Sequence, residues 1–210
     1  VTSKVPAPIL LVDDDRWYNQ EAKYEAALSA GGFPYDYWRT GWSGREPPWG
    51  SPSLDMLQRY PVIVWYTGYD WFRPVTDDEE QALAVYLDGG GRLFLSSQDY
   101  MYYHHDASLS TGYLGVLGHT EDTQPSLARG VSEDPIGTGL GPWTLDTPFE
   151  NLSDAVIPMP GTTMSFRDQL DRGIAVARRD QGYATAFYAF PFEALPSAEA
   201  LSTTHTSKAQ

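Results

Sequence analysis

The stretch that decides the fold is Tyr86-Leu87-Asp88-Gly89-Gly90-Gly91-Arg92-Leu93-Phe94-Leu95-Ser96. It holds the end of a helix, a three-glycine stop and a short apolar run that reads as a buried strand. Upstream, Thr76-Asp77-Asp78-Glu79 opens that helix with a Thr cap, an acidic first turn and a Glu at the third helical position. The unit before it has the same grammar. Val62-Ile63-Val64-Trp65-Tyr66 is a continuous apolar run, preceded by a short helix over 53–59 with Ser53 as its cap.

Working back to the start, Ile9-Leu10-Leu11-Val12 reads as the first strand and ends in Asp13-Asp14-Asp15. A helix is expected over 18–30, stopped by Gly31-Gly32, and a second strand over 33–38. Regular alternation of strand and helix over a hundred residues predicts an α/β fold. Its centre is a flavodoxin-like parallel sheet with helices on both faces. The second half is less regular. A short helix is expected over 109–117, an extended edge segment over 120–131 and a loop over 134–147. Strands are expected at Val156-Ile157, 173–177 and 184–190, the last two forming a C-terminal β-hairpin. Residues 1–196 read as one domain and 197–210 as a polar, fraying tail.

The chain has 210 residues, 28 acidic against 14 basic, for a net charge of −14. That field repels phosphate backbones and anionic lipid, so neither nucleic acid nor membrane is an expected partner. Cysteine is absent, which removes disulfides, thiolate nucleophiles and Cys-ligated zinc. The sequence begins at Val1 and carries no signal peptide, as a segment cut from a longer precursor would. Its composition, poor in Lys and rich in Trp, Tyr, Gly, Ser and Thr, is in the style of extracellular modules.

Ligands of parallel sheets bind beyond the carboxyl ends of the strands. Here those ends carry Asp13, Asp14 and Asp15, then Thr67 to Asp70, then Ser96 to Asp99, with Phe192 and Glu193 late in the chain. No cofactor is expected, save that Asp13, Asp14 and Asp15, with Asp70 and Asp99, are candidate oxygen ligands for a hard cation, calcium or magnesium. The competing reading makes them helix caps or acids in solvent. A phosphoacceptor pocket is excluded, because the third strand ends in Val64-Trp65-Tyr66-Thr67 without an Asp. A hydrolase would use Ser97 as nucleophile, His104 or His105 as base and Asp99 or Asp106 to orient it. The glycines of the Gly-x-Ser-x-Gly elbow are missing around Ser97. His104, His105 and His119 lack zinc-ligand spacing and read as surface histidines.

Aromatic residues crowd the same rim: Trp38, Trp42 and Trp49, then Tyr69, Trp71 and Phe72, then Tyr100, Tyr102 and Tyr103. Aromatics beside carboxylates form a platform for carbohydrate or peptide, or else pack the loops onto the sheet. The candidate ligand-binding set is Asp13, Asp70, Gln98, Asp99, Tyr69, Trp71 and Glu193.

The chain to about Leu195 resembles class I glutamine-amidotransferase-like domains of large secreted bacterial proteins. The residues carrying this are Ile9 to Asp15, Tyr24-Glu25-Ala26-Ala27-Leu28, Val64 to Gly68, Tyr86 to Ser96 and Phe190-Pro191-Phe192-Glu193. The resemblance implies a flavodoxin-like fold, with a Cys on the elbow and a late His-Pro-Glu segment in true amidotransferases. Here Ser96-Ser97-Gln98 occupies the elbow and Phe190-Pro191-Phe192-Glu193 the late segment, so the Glu is kept and the Cys and His are not. The expectation is a non-catalytic interaction or structural module of a larger extracellular protein. Its partners would be neighbouring domains of that parent or other extracellular proteins. The alternatives are the Ser97 hydrolase and a cation-stabilised carbohydrate- or peptide-binding domain.

Overall fold

A computed structural model describes residues 6–16, 18–41, 50–180 and 182–196. Trp42, Trp49 and the 197–210 tail lie outside the described residues. Four βα-type strands come first: β1 (Ile9–Asp13), β2 (Tyr35–Arg39), β3 (Val62–Tyr66) and β4 (Arg92–Ser96). The helices among them are α1 (Glu21–Ala30), α2 (Leu54–Leu57), α3 (Asp77–Asp88) and α4 (Tyr100–His104). A π-helical turn, Leu109–Leu114, follows, then β5 (Val116–Thr120), β6 (Leu127–Gly130), β7 (Trp143–Thr144) and β8 (Ala155–Pro158). β9 (Thr162–Arg167), β10 (Gly173–Arg179), β11 (Ala184–Tyr188) and a 3-10 turn at Phe192–Ala194 complete the chain.

The main sheet has nine strands in the order β2-β1-β3-β4-β11-β10-β9-β6-β7. The first five run parallel. β10, β9, β6 and β7 extend the sheet antiparallel. The fold is therefore α/β and flavodoxin-like, with a mixed far edge. β5 and β8 pair separately.

Alternation along each strand sends side chains to opposite faces. Leu10, Val12, Ile63, Trp65, Leu93 and Leu95 pack with Leu83 and Leu87 of α3 and with Leu109 and Leu114 of the π-turn. Ile9, Leu11, Val64 and Tyr66 pack with Tyr24 of α1 on the other face. The third-strand run has no polar break because both its faces are covered. The helix start at Thr76 is as expected. Its side chain receives the Glu79 N–H, and the Glu79 carboxylate returns to the Thr76 N–H.

The expected C-terminal hairpin is formed by β10 and β11, and β11 also pairs parallel to β4 as the fifth parallel strand. One expectation needs correction. The 120–131 segment is divided between two sheets, β5 in one and β6 in the other. β9 had no sequence signal: Thr162-Thr163-Met164-Ser165-Phe166-Arg167 has no apolar run, and only Ser165 and Phe166 are fully buried. Smaller shifts put the start of α1 at Glu21 and β2 at Tyr35.

Candidate functional site

Arg39, Asp13, Tyr66, Ser96 and Tyr188 stand in register at the carboxyl ends of the parallel strands. Backbone hydrogen bonds continue one residue further, from Asp14 to Tyr66, Thr67 to Ser96 and Ser97 to Tyr188. The strand-end loops are therefore held on a common frame. Gly68 lets two of them touch. Its φ is +54°, and a Cβ there would stand 2.8 Å from the Asp15 Cβ.

Strand alternation splits the three-Asp run. Asp13 and Asp15 turn to the α1 face. The Tyr37 hydroxyl donates to Asp13, and the Asp15 N–H donates to Asp13 Oδ1 at 3.2 Å. Asp15 also receives the Gln20 N–H at 2.8 Å, at the start of α1. Glu193 joins this group by accepting the Tyr24 hydroxyl at 2.9 Å. Burial, with the charge of Asp13 beside it, raises Asp15 to about 8. Burial raises Glu193 to about 7, partly offset by the Tyr24 hydrogen bond. The Tyr66 hydroxyl is held protonated by its burial and by these acids.

Asp14 turns the other way. It accepts Thr40 Oγ1 at 2.7 Å and Trp65 Nε1 at 3.2 Å. Burial, then the charge of Glu79, pushes its carboxyl well above the usual range. Asp13, Asp14 and Asp15 are consequently not one ligand set, and among the described residues no three His, Cys, Asp or Glu side chains assemble as a metal site. Asp15 is a helix-start acceptor, as the capping alternative has it.

The hydrolase candidates part in a similar way. Ser97 is buried and its Oγ accepts Thr67 Oγ1 at 2.8 Å. His104 is buried, not on the surface. It stacks on Tyr100, and its Nδ1 lies 3.4 Å from Glu80 of α3. His105 is half exposed and stacks on His119. No hydrogen bond among the described residues joins Ser97 to His104 or Asp99.

A different group does converge. Tyr69, Trp71, Asp99, Tyr102, Tyr103, Asp122, Glu150 and Leu152 line an open cavity of about 410 Å³. Gln98 holds the 150–152 loop that carries two of the lining residues, donating to the Glu150 carbonyl at 3.1 Å and accepting the Leu152 N–H at 3.2 Å. The Tyr69 hydroxyl donates to Glu150 at 2.7 Å, and Tyr69 stacks on Phe149. Asp99 is 8% exposed and its Oδ2 has no hydrogen-bond partner. Burial raises it to about 7, reinforced by the charge of Asp122. Behind it, burial raises Asp154 to about 8, and the charges of Asp99 and Asp122 add to this. Asp70 is committed elsewhere, to Arg16 Nε at 2.7 Å.

Of the candidate ligand-binding residues, Tyr69, Trp71 and Asp99 share this cavity and Gln98 supports it. Asp13 and Glu193 are buried beneath α1, and Asp70 is ion-paired. Asp122, Glu150 and Asp154 were missed. They lie in irregular segments where nothing in the pattern of residues marks a role.

The frame and its strand-end site define a class: flavodoxin-like α/β domains sharing the fold of glutamine amidotransferases. The chain is similar in structure to a glutamine amidotransferase from Thermotoga maritima, with TM-score 0.51 and 13% identity over 96% of this chain and 85% of that one. A cytoplasmic protein from Salmonella typhimurium gives TM-score 0.61 and 15% identity over 96% and 98% of the two chains. A β-galactosidase from Halorubrum lacusprofundi gives TM-score 0.57 and 19% identity, covering 99% of this chain but 31% of the enzyme. No protein-family model and no curated protein matches the sequence.

Proposed function

We propose that this protein is a non-catalytic binding module of a larger extracellular protein, working through the acid-and-aromatic cavity beyond β3 and β4. One observation carries the reading. The nucleophile and base that a strand-end enzyme would use are each taken up by other partners, whereas the aromatic rings of the cavity stand partly in solvent. Ser97 is bonded to Thr67 and His104 is turned to Glu80. Trp71 and Tyr102 each remain 54% exposed beside Asp99. Large aromatic side chains left partly in water beside carboxylates are the usual make-up of a recognition surface. The β-galactosidase supports the modular part, since the same fold there makes up about a third of a longer chain.

The test is a panel of glycans and peptides presented to the wild type and to Trp71→Ala and Tyr102→Ala variants. The expected result is a ligand whose affinity drops at least tenfold in either variant, on the order of 1.4 kcal/mol or more. Retention of nothing, or retention indifferent to both substitutions, would remove the reading.

A further inference from the structure

The cavity has an unbalanced charge. Asp99, Asp122 and Glu150 line it, Asp154 lies behind it, and no Lys or Arg is among its lining residues. Among the described residues none of these four acids makes an ion pair with Lys or Arg. The Oδ2 atoms of Asp99 and Asp154 are buried and without a hydrogen-bond partner. A buried carboxylate with an unpaired oxygen is costly, and of the two only Asp99 lines the cavity, so a cationic donor brought into it is favoured there. The walls are the rings of Tyr69, Trp71, Tyr102 and Tyr103. Aromatic faces attract cations, and more so when water is excluded.

The same chain already shows this recognition nearby. Arg16 places its Nε 2.7 Å from Asp70 and its guanidinium carbon 5.9 Å from the Phe72 ring centroid. One strand-end acid and one aromatic ring are thus satisfied by an internal basic side chain. Asp99 has the ring neighbours without that cation.

We propose that the cavity takes the cationic end of a lysine or arginine side chain, presented by a basic segment of a protein partner. This rests on the binding reading above and names its ligand. A bare divalent ion is disfavoured, because no three ligating side chains among the described residues stand close enough together to hold one ion. An ammonium or guanidinium needs only carboxylates on one side and rings on the other. A peptide fits better than an isolated amine, because the aromatic surface continues outside the cavity. Phe72, 54% exposed, packs edge-on against Trp71 and Tyr103 and can receive the residues flanking the basic one. The net charge of −14 draws a basic segment in.

The experiment is calorimetric titration of the chain with tetralysine, tetra-arginine, Nε-acetylated tetralysine and a glucosamine tetramer. Asp99→Asn is compared with Glu133→Gln, which removes the same charge from an exposed residue after β6, at the opposite end of the sheet. Tetralysine or tetra-arginine should bind the wild type and the Glu133 variant alike, with at least tenfold loss in Asp99→Asn. Acetylation should cost at least tenfold. Equal binding by all three proteins would mean diffuse attraction to an acidic chain and would overturn the proposal. So would equal affinity for the acetylated peptide, or binding of the glucosamine tetramer alone. If no basic peptide binds but a panel ligand still depends on Trp71, the charge inference falls and the module stands. If nothing binds, both fall.

Discussion

Asp99→Asn should make the protein more stable, and increasingly so as pH rises. The carboxyl of Asp99 stands at about 7 in the fold against an ordinary value of 3.8. Between those values the folded state holds a proton that the unfolded chain has released. Stability therefore falls as pH rises through this window and levels off above the folded value. The whole gap is worth on the order of 4 kcal/mol, of which about 3 kcal/mol accumulates between pH 5 and pH 8. The amide cannot ionise, so the variant lacks this loss. For a chain of this length, 1 kcal/mol moves Tm by roughly 2–4 °C, so the variant's Tm advantage should grow by roughly 6–12 °C from pH 5 to pH 8. The assay is thermal unfolding of both proteins, followed by circular dichroism across that range at fixed ionic strength. Parallel Tm profiles would refute the reasoning, because they would mean that Asp99 is ionised in the fold at pH 5.

Two further outcomes test the frame around the site. Tyr24→Phe keeps the ring stacked on Tyr66 but leaves Glu193 without its hydroxyl donor. It should cost about 1–3 kcal/mol at pH 8 in chemical unfolding, and less at pH 5, where Glu193 is protonated. Gly68→Ala places a side chain at φ +54° and a Cβ 2.8 Å from that of Asp15. It should cost roughly 2–3 kcal/mol in the same measurement, and a value near zero would mean that the two strand-end loops are not in contact.

The parallel half of the sheet was legible because each of its interior strands is buried on both faces. Burial on two faces leaves a continuous apolar run, as in Val62 to Tyr66, and glycines or a capping box mark the helix ends. The antiparallel edge was not legible for the opposite reason. β9 is made of Thr, Met, Ser, Phe and Arg, and it owes its conformation to pairing with β10 and β6. The site was legible by position and not by partnership. The strand ends told where Asp13 to Asp15 and Ser96 to Asp99 would lie. The division of Asp14 from its neighbours follows from strand alternation, and applying that rule to the acids would have separated them. His104 was misjudged because the partner that faces it in the interior, Glu80 of α3, lies twenty-four residues earlier in the sequence. Asp154 comes to lie near Asp99 only through the fold, from a loop before β8 with no local signature.

The most direct test of a site that binds without catalysing is a fluorogenic ester and amide panel run on the wild type and on Ser97→Ala. Equal, background-level turnover is expected in both, since Ser97 is hydrogen-bonded to Thr67 and no base among the described residues is hydrogen-bonded to it. Turnover by the wild type that disappears in Ser97→Ala, with the variant's Tm unchanged, would contradict it.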